Sequence, residues 1–355
     1  MTVPQITFDW DAILRDRVLP ILGVTSGGVS QPTWTFVCGQ PGSGKTTRIA
    51  QLAAKLGPDR CQIISGDALC FLLPELFRDP GNPALVDALT EYEREVQPAQ
   101  IDALLTRATT LRAHVLHEVH VPVGVAKRAA QARAAGYRVA CEVLALPPQE
   151  SWLATLRRDA DAAFTDRGFA KTVAWDRLLL SHHRWPAFLA WAEDKLIFDS
   201  LRILGRDGEV LFENTNELTD DQRHWTGPAF AFESLLVERL PPRSPAQRQA
   251  LVADWQALRA HPAVAFQNHP AWTHAAIMAL GEHLQSACTD PTYGFDLNHP
   301  PVPPDPQAAA GWTARLRADL IATLTSIEAQ DQAALPARGD RLLALVATLM
   351  AQPAA

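Results

Sequence analysis

The residues Gly39-Gln40-Pro41-Gly42-Ser43-Gly44-Lys45-Thr46 fit the spacing GxxxxGK[ST], a pattern whose chemistry is phosphate binding. Glycines at these places let consecutive backbone N–H groups turn inward around phosphate oxygens, and a helix opening near Lys45 adds the positive end of its dipole. In that geometry Lys45 reaches the β- and γ-phosphates, the Thr46 hydroxyl ligates Mg²⁺, and Thr47 follows in the same first turn. The ligand implied is a nucleoside triphosphate, with ATP and Mg²⁺ the expected pair.

Other residues decide what such a loop would do. No glycine has an aspartate three places before it and no NKxD occurs, so the GTPase signatures are missing. Leu196-Ile197-Phe198-Asp199 has the form of an apolar strand ending in a Mg²⁺-directed aspartate, but it lies far downstream and leads into a hairpin signal. A small-molecule kinase instead needs a carboxylate to take a hydroxyl proton and cations to follow the moving phosphoryl group. Asp67, after Ile63-Ile64-Ser65-Gly66, is placed either as that base or as the N-cap of a helix over 68–73. Glu118, near the end of His114-Val115-Leu116-His117-Glu118-Val119-His120, reads either as an acceptor-binding carboxylate or as half of a buried salt bridge. His120 shares its strand face and is the neighbouring acceptor-side candidate. The three histidines spaced by three do not make a zinc site, because His117 must point away from His114 and His120. Arg157, Arg158, Arg167 and Lys171 fall in and just after a helix beginning at Ser151, where they read either as lid cations or as a solvated basic face.

The elements that must position these groups alternate. Helical periodicity over 9–22 is followed by a strand at 33–38, the glycine-rich turn, and a helix carrying Ile49, Leu52, Ala53 and Leu56 to Gly57. Strands are predicted at 61–65, 114–119 and 137–146, with a helix over 125–135 before the last. Pro147-Pro148 breaks the chain before the Ser151 helix, and a Trp-rich helix spans 175–193. Runs at 195–204 and 209–212 flank Arg206-Asp207-Gly208, a hairpin signal. The expected fold is α/β, a P-loop kinase with a mostly parallel sheet flanked by helices. A composition break at Pro241-Pro242-Arg243-Ser244-Pro245 divides a kinase domain over 1–240 from an all-α extension over 246–355, in which Trp255, Trp272 and Trp312 read as core.

Composition bounds the rest. The chain has 355 residues and a net charge of −7, which argues against a general nucleic-acid or acidic-membrane binder. No secretory leader and no long apolar span is visible, and five widely spaced cysteines suit a reducing compartment, so the expected location is the cytoplasm. Of the 32 basic residues only Lys45, Lys55, Lys127, Lys171 and Lys195 are lysine.

Taken in order, the motifs resemble the zeta-toxin kinases of bacterial toxin–antitoxin systems. The matching residues are Val18-Leu19-Pro20, the phosphate loop, Gly66-Asp67 with Pro74, Glu118, Ala135-Gly136-Tyr137-Arg138-Val139, Ser151 with Arg158, and Arg206-Asp207-Gly208. The resemblance covers about residues 10 to 215. It implies transfer of the ATP γ-phosphate to a sugar hydroxyl of UDP-N-acetylglucosamine, and an antitoxin that blocks the nucleotide site. By the same resemblance Lys45 and Thr46 bind phosphate and Mg²⁺, Asp67 is the base, Glu118 touches the acceptor, and Arg158 is one lid cation. The second lid cation falls on Lys171, with Arg167 its rival. This sequence departs from the family at Ser65, usually aspartate, and in the bulky run Val119-His120-Val121-Pro122. The acceptor is therefore a nucleotide sugar, or alternatively a dinucleotide such as NAD, an antibiotic or another hydroxylated metabolite. A third alternative is a nucleotide-regulated module without transfer. The C-terminal extension is a cis-acting inhibitor, an oligomerisation unit or a scaffold.

Overall fold

A computed structural model describes residues 8–77, 83–164, 175–206, 208–219, 222–227, 229, 231–239, 253–258 and 260. Five short strands pair in parallel: β1 (Thr33–Cys38), β2 (Cys61–Ile64), β3 (His114–Val119), β4 (Arg138–Leu144) and β5 (Ser200–Leu204). Two more, β6 (Val210–Thr219) and β7 (Gln222–Trp225), extend the sheet antiparallel, giving the order β2-β3-β1-β4-β5-β6-β7. The chain reverses its direction of winding beside β1, and in open α/β sheets the crevice at the carboxyl ends of the strands there is where ligands bind.

Helices cover both faces: α1 (residues 10–22), α2 (Lys45–Leu56), α3 (Gly66–Phe71), α4 (residues 83–111), α5 (Val125–Ala134), α6 (Pro148–Phe164), α7 (Trp175–Asp194) and α8 (Ala231–Glu238). One face of the sheet places Trp34, Phe36, Val115, Val139 and Cys141 against Trp185 and Leu189 of α7 and Phe232 of α8. The other packs Val37, Leu116 and Leu144 on Ile49 and Ala53 of α2. Burial on both sides explains why β1, a β-branched and aromatic run, carries no charged residue. Each fully buried large side chain, such as Phe36 or Trp185, adds about 1.5–3 kcal/mol.

Proline shapes two of the helices. In α1 and α4 the turn before Pro20 and Pro98 widens: Leu19 N bonds Leu14 O, and Gln97 N bonds Tyr92 O, each five residues back. The ring of the following proline supplies no N–H and crowds the preceding turn, and the wider turn relieves it.

Several boundaries differ from the sequence expectations. The strand predicted from Lys195 begins only at Ser200, because Leu196 takes a left-handed backbone (φ 51°) that ends α7. Asp199 consequently sits at the amino edge of the sheet. Its carboxylate accepts from Val139 N at the start of β4 and pairs with Arg133 and Arg223. That is the edge away from the phosphate loop, so Leu196-Ile197-Phe198-Asp199 is not a Mg²⁺-directed strand. β6 runs to Thr219 instead of stopping at Phe212, and pairs with the unanticipated β7. The helix expected from Ser151 starts earlier, with Pro148 as its first residue, a position where its missing N–H costs nothing. Residues 83–111 form a long helix that no strand or turn signal announced.

Of the expected all-α extension, residues 253–258 are helical, with Trp255 and Leu258 buried. The boundary at 241–245 and residues 261–355, with Trp272 and Trp312, lie outside the described residues.

Candidate functional site

The phosphate loop leaves β1 at Cys38 and enters α2 at Lys45. Gly39, Gly42 and Gly44 all take positive φ (141°, 78° and 93°), which is what turns this stretch of backbone into a cradle. At Gly42 space is also limiting. A Cβ there would lie 2.0 Å from Ser151 O and 2.6 Å from Thr155 Oγ1, so the first turns of α6 rest directly on the loop. Gln40, Pro41 and Ser43 are buried, whereas Thr46 and Thr47 are exposed in the first turn of α2. The Ser43 hydroxyl is buried, with no hydrogen-bond partner among the described residues.

Lys45 is buried, and its Nζ donates to the Gln40 carbonyl at 2.9 Å. Loss of water lowers its pKa to about 8, and Arg158 adds to the lowering while Glu118 and Asp67 oppose it. The lysine therefore shares one electrostatic environment with both candidate carboxylates and one candidate lid cation. The strand ends explain this gathering: β1, β2, β3 and β4 all finish at the same edge and hand over to the loop, to α3, to His120 and to α6.

Ser65, not Asp67, caps α3: its Oγ accepts from Ala68 N, and Asp67 is the helix's second residue. The N-cap alternative for Asp67 is thereby corrected. An acidic side chain in a first helical turn is favoured by the dipole without spending itself as the cap. The Ser65 hydroxyl donates to Glu118 Oε2 at 2.5 Å. Glu118 is no conventional salt-bridge partner. Its side chain is 4% exposed, and among the described residues its ion-pair contact is His120 Nε2, 3.9 Å from Oε1. His120 is fixed from behind, its carbonyl accepting from Ser181 Oγ and from Trp185 Nε1 on α7. The imidazole thus stands next to Glu118 at the mouth of the strand.

The other two histidines go elsewhere. His114 Nδ1 meets Thr33 Oγ1 at 2.8 Å, and His117 stacks on Phe36 on the opposite face, burial lowering its pKa to about 3. No group of three or more His, Cys, Asp or Glu side chains suited to a metal occurs among the described residues.

Arg158 is exposed on α6, while its neighbour Arg157 turns away to Asp254 at 2.6 Å. Lys171 and Arg167 lie outside the described residues. Gln40, expected in the loop, also has a structural role there, and its partner Arg239 escaped sequence reasoning. The Gln40 amide donates to Leu146 O and Ser151 Oγ, tying the loop to the start of α6. Its oxygen accepts from Arg239, 199 positions along the chain, a separation at which no spacing rule applies.

The arrangement can bind a polyanion at the loop, hold a divalent ion at the exposed Thr46 hydroxyl, and offer a carboxylate to a hydroxyl proton. Cys38, Cys61, Cys70 and Cys141 are buried thiols that form no disulfide with one another. No helix among the described residues is long and apolar enough to cross a membrane.

A model of the zeta toxin family matches residues 22–217, more than half the chain. A solved structure from the PezAT chromosomal toxin–antitoxin system of Streptococcus pneumoniae aligns with 72% of this chain and 97% of its own. Its identity is 21% and its TM-score 0.56. The complex of AvrRxo1-ORF1 with AvrRxo1-ORF2, solved with ATP, aligns with 77% of this chain and 88% of its own at 15% identity, with a TM-score of 0.41. The first shares the fold; the second overlaps it loosely. No curated protein matches the chain.

Proposed function

Because the chain belongs to the zeta toxin family, an ATP-dependent kinase family acting on hydroxyl groups, we propose that it transfers the ATP γ-phosphate to a sugar hydroxyl of UDP-N-acetylglucosamine or a related nucleotide sugar. The observation that carries this reading is Lys45, buried at the phosphate loop within the field of Asp67, Glu118 and Arg158. A switch that only binds nucleotide has no use for a carboxylate pair there.

Each residue has a role in this reading. Backbone N–H groups of Gly42, Gly44 and the first turn of α2 from Lys45 to Thr47, together with the Lys45 ammonium, hold the phosphates. Asp67 takes the proton from the acceptor hydroxyl, whose oxygen forms the new bond to the γ-phosphorus as the bond to the ADP oxygen breaks. Arg158, with Lys171 or Arg167 as the second lid cation, offsets charge on the transferring group. Glu118, held on one oxygen by Ser65, keeps the other for the acceptor, and His120 lines the same side. Mg²⁺ would be held by the Thr46 hydroxyl together with the phosphates and would supply neutralisation of their charge.

The bulk of His120 beside Glu118 supports a second reading, a dinucleotide or another hydroxylated nucleotide as acceptor. Purified protein, γ-labelled ATP and a panel of uridine sugars, dinucleotides and aminoglycosides separate the two. Label on uridine sugars alone supports the first reading, and label on a dinucleotide alone replaces it.

We place the protein in the cytoplasm, where four buried thiols stay reduced. Regulation falls to an antitoxin or to the C-terminal region acting in cis. The Arg157–Asp254 pair is the contact that supports the cis form, since it ties α6 to residues 253–258. Asp254→Asn is expected to raise transfer by no more than about fivefold, because exposed ion pairs contribute about 1 kcal/mol or less. An unchanged rate removes that contact from regulation.

A further inference from the structure

Arg239, the residue after α8, is buried to 4% exposure behind the phosphate loop. Its Nη2 donates to Gln40 Oε1 and its Nη1 to His182 O of α7, both at 2.8 Å. Among the described residues its Nε has no hydrogen-bond partner and no carboxylate lies within ion-pair distance of it. Buried arginines are normally paired, because a desolvated charge without a counter-ion is costly. Burial alone pulls this guanidinium down to about 9, which still leaves it charged at neutral pH.

The position of this charge is specific. Gln40 is the residue through which the loop is organised: its carbonyl accepts from Lys45 Nζ, its amide bonds Leu146 O and Ser151 Oγ, and its side-chain oxygen takes Arg239. A cation fixed on this residue stabilises the loop's shape and adds positive potential where an anion would sit. The Ser43 hydroxyl, buried in the same loop, has no hydrogen-bond partner among the described residues. We propose that Arg239 is a positioning residue for the triphosphate: it holds the loop through Gln40, and the bound polyphosphate balances a charge that has no counter-ion among the described residues. The inference rests on the loop binding a nucleoside triphosphate, and it assigns to a residue at the end of the kinase region a share of that affinity.

The test is calorimetric titration of full-length protein with inorganic tripolyphosphate and with a non-hydrolysable ATP analogue, at two or more salt concentrations. Arg239→Gln is expected to weaken both ligands on the order of tenfold and to flatten the salt dependence. Arg239→Lys, which keeps the charge, is expected to stay within about threefold of the unaltered protein. Arg239→Met provides a second neutral variant. Neutral variants that bind both ligands as the unaltered protein does, or that do not fold at all, would make Arg239 a structural tether and overturn the proposal. Failure of the unaltered protein to bind either ligand would instead contradict the nucleotide reading itself, and this inference with it.

Discussion

Asp67→Asn is expected to lower phosphoryl transfer on the order of a hundredfold or more, with ATP affinity changed little. The substitution keeps the shape and the place in the first turn of α3, so the cap made by Ser65 and the Ser65–Glu118 hydrogen bond remain. What it removes is the basic oxygen that accepts the hydroxyl proton. The effect therefore belongs in kcat at saturating ATP and acceptor, measured by label transfer. Full transfer by this variant would take Asp67 out of the chemistry.

Lys45→Met carries the second large effect, a loss of kcat/KM for ATP on the order of a hundredfold or more. Methionine fills the buried channel but cannot donate to Gln40 O or oppose phosphate charge. The same residue predicts a pH dependence. In the free protein burial sets the Lys45 pKa at about 8, below its ordinary value of 10.5. The charged form is thus present below that pH and lost as pH rises through it. Bound phosphates favour the charged form, so binding takes up protons. ATP affinity is expected to fall about tenfold between pH 7 and pH 9, and the fall to be absent in Lys45→Met. A flat profile in the unaltered protein would contradict the assignment of Lys45 to the phosphates.

What the sequence disclosed followed the range of its signals. The loop from Gly39 to Thr46 was legible because its glycines and lysine are adjacent and their chemistry is local. The parallel core was legible from the β-branched and aromatic run Thr33–Cys38 and from Val115, Leu116 and Val119 of the third strand, whose placement matches burial on two faces. Asp67 and Glu118 could be nominated by strand ends alone. The joint burial of Lys45 in their field required the sheet order, which places β2 and β3 together on one side of β1. Asp199 was set aside from its place in the chain, and the fold supplies the physical reason. Its apolar prelude has the right composition, yet the left-handed Leu196 shifts the strand start and leaves the carboxylate at the wrong edge. Ser65 was read only as a departure from the family, whereas folded it both caps α3 and orients Glu118. Arg239 gave no signal, since only tertiary packing brings it to Gln40.

The most direct measurement of the central claim is the fate of the γ-phosphate. Purified protein incubated with γ-labelled ATP, Mg²⁺ and UDP-N-acetylglucosamine, with products resolved by mass, is expected to yield labelled phospho-sugar nucleotide and ADP in equal amounts. ADP accompanied only by labelled inorganic phosphate, with this acceptor and with every other hydroxylated nucleotide tried, would contradict a kinase built on Lys45, Asp67, Glu118 and Arg158.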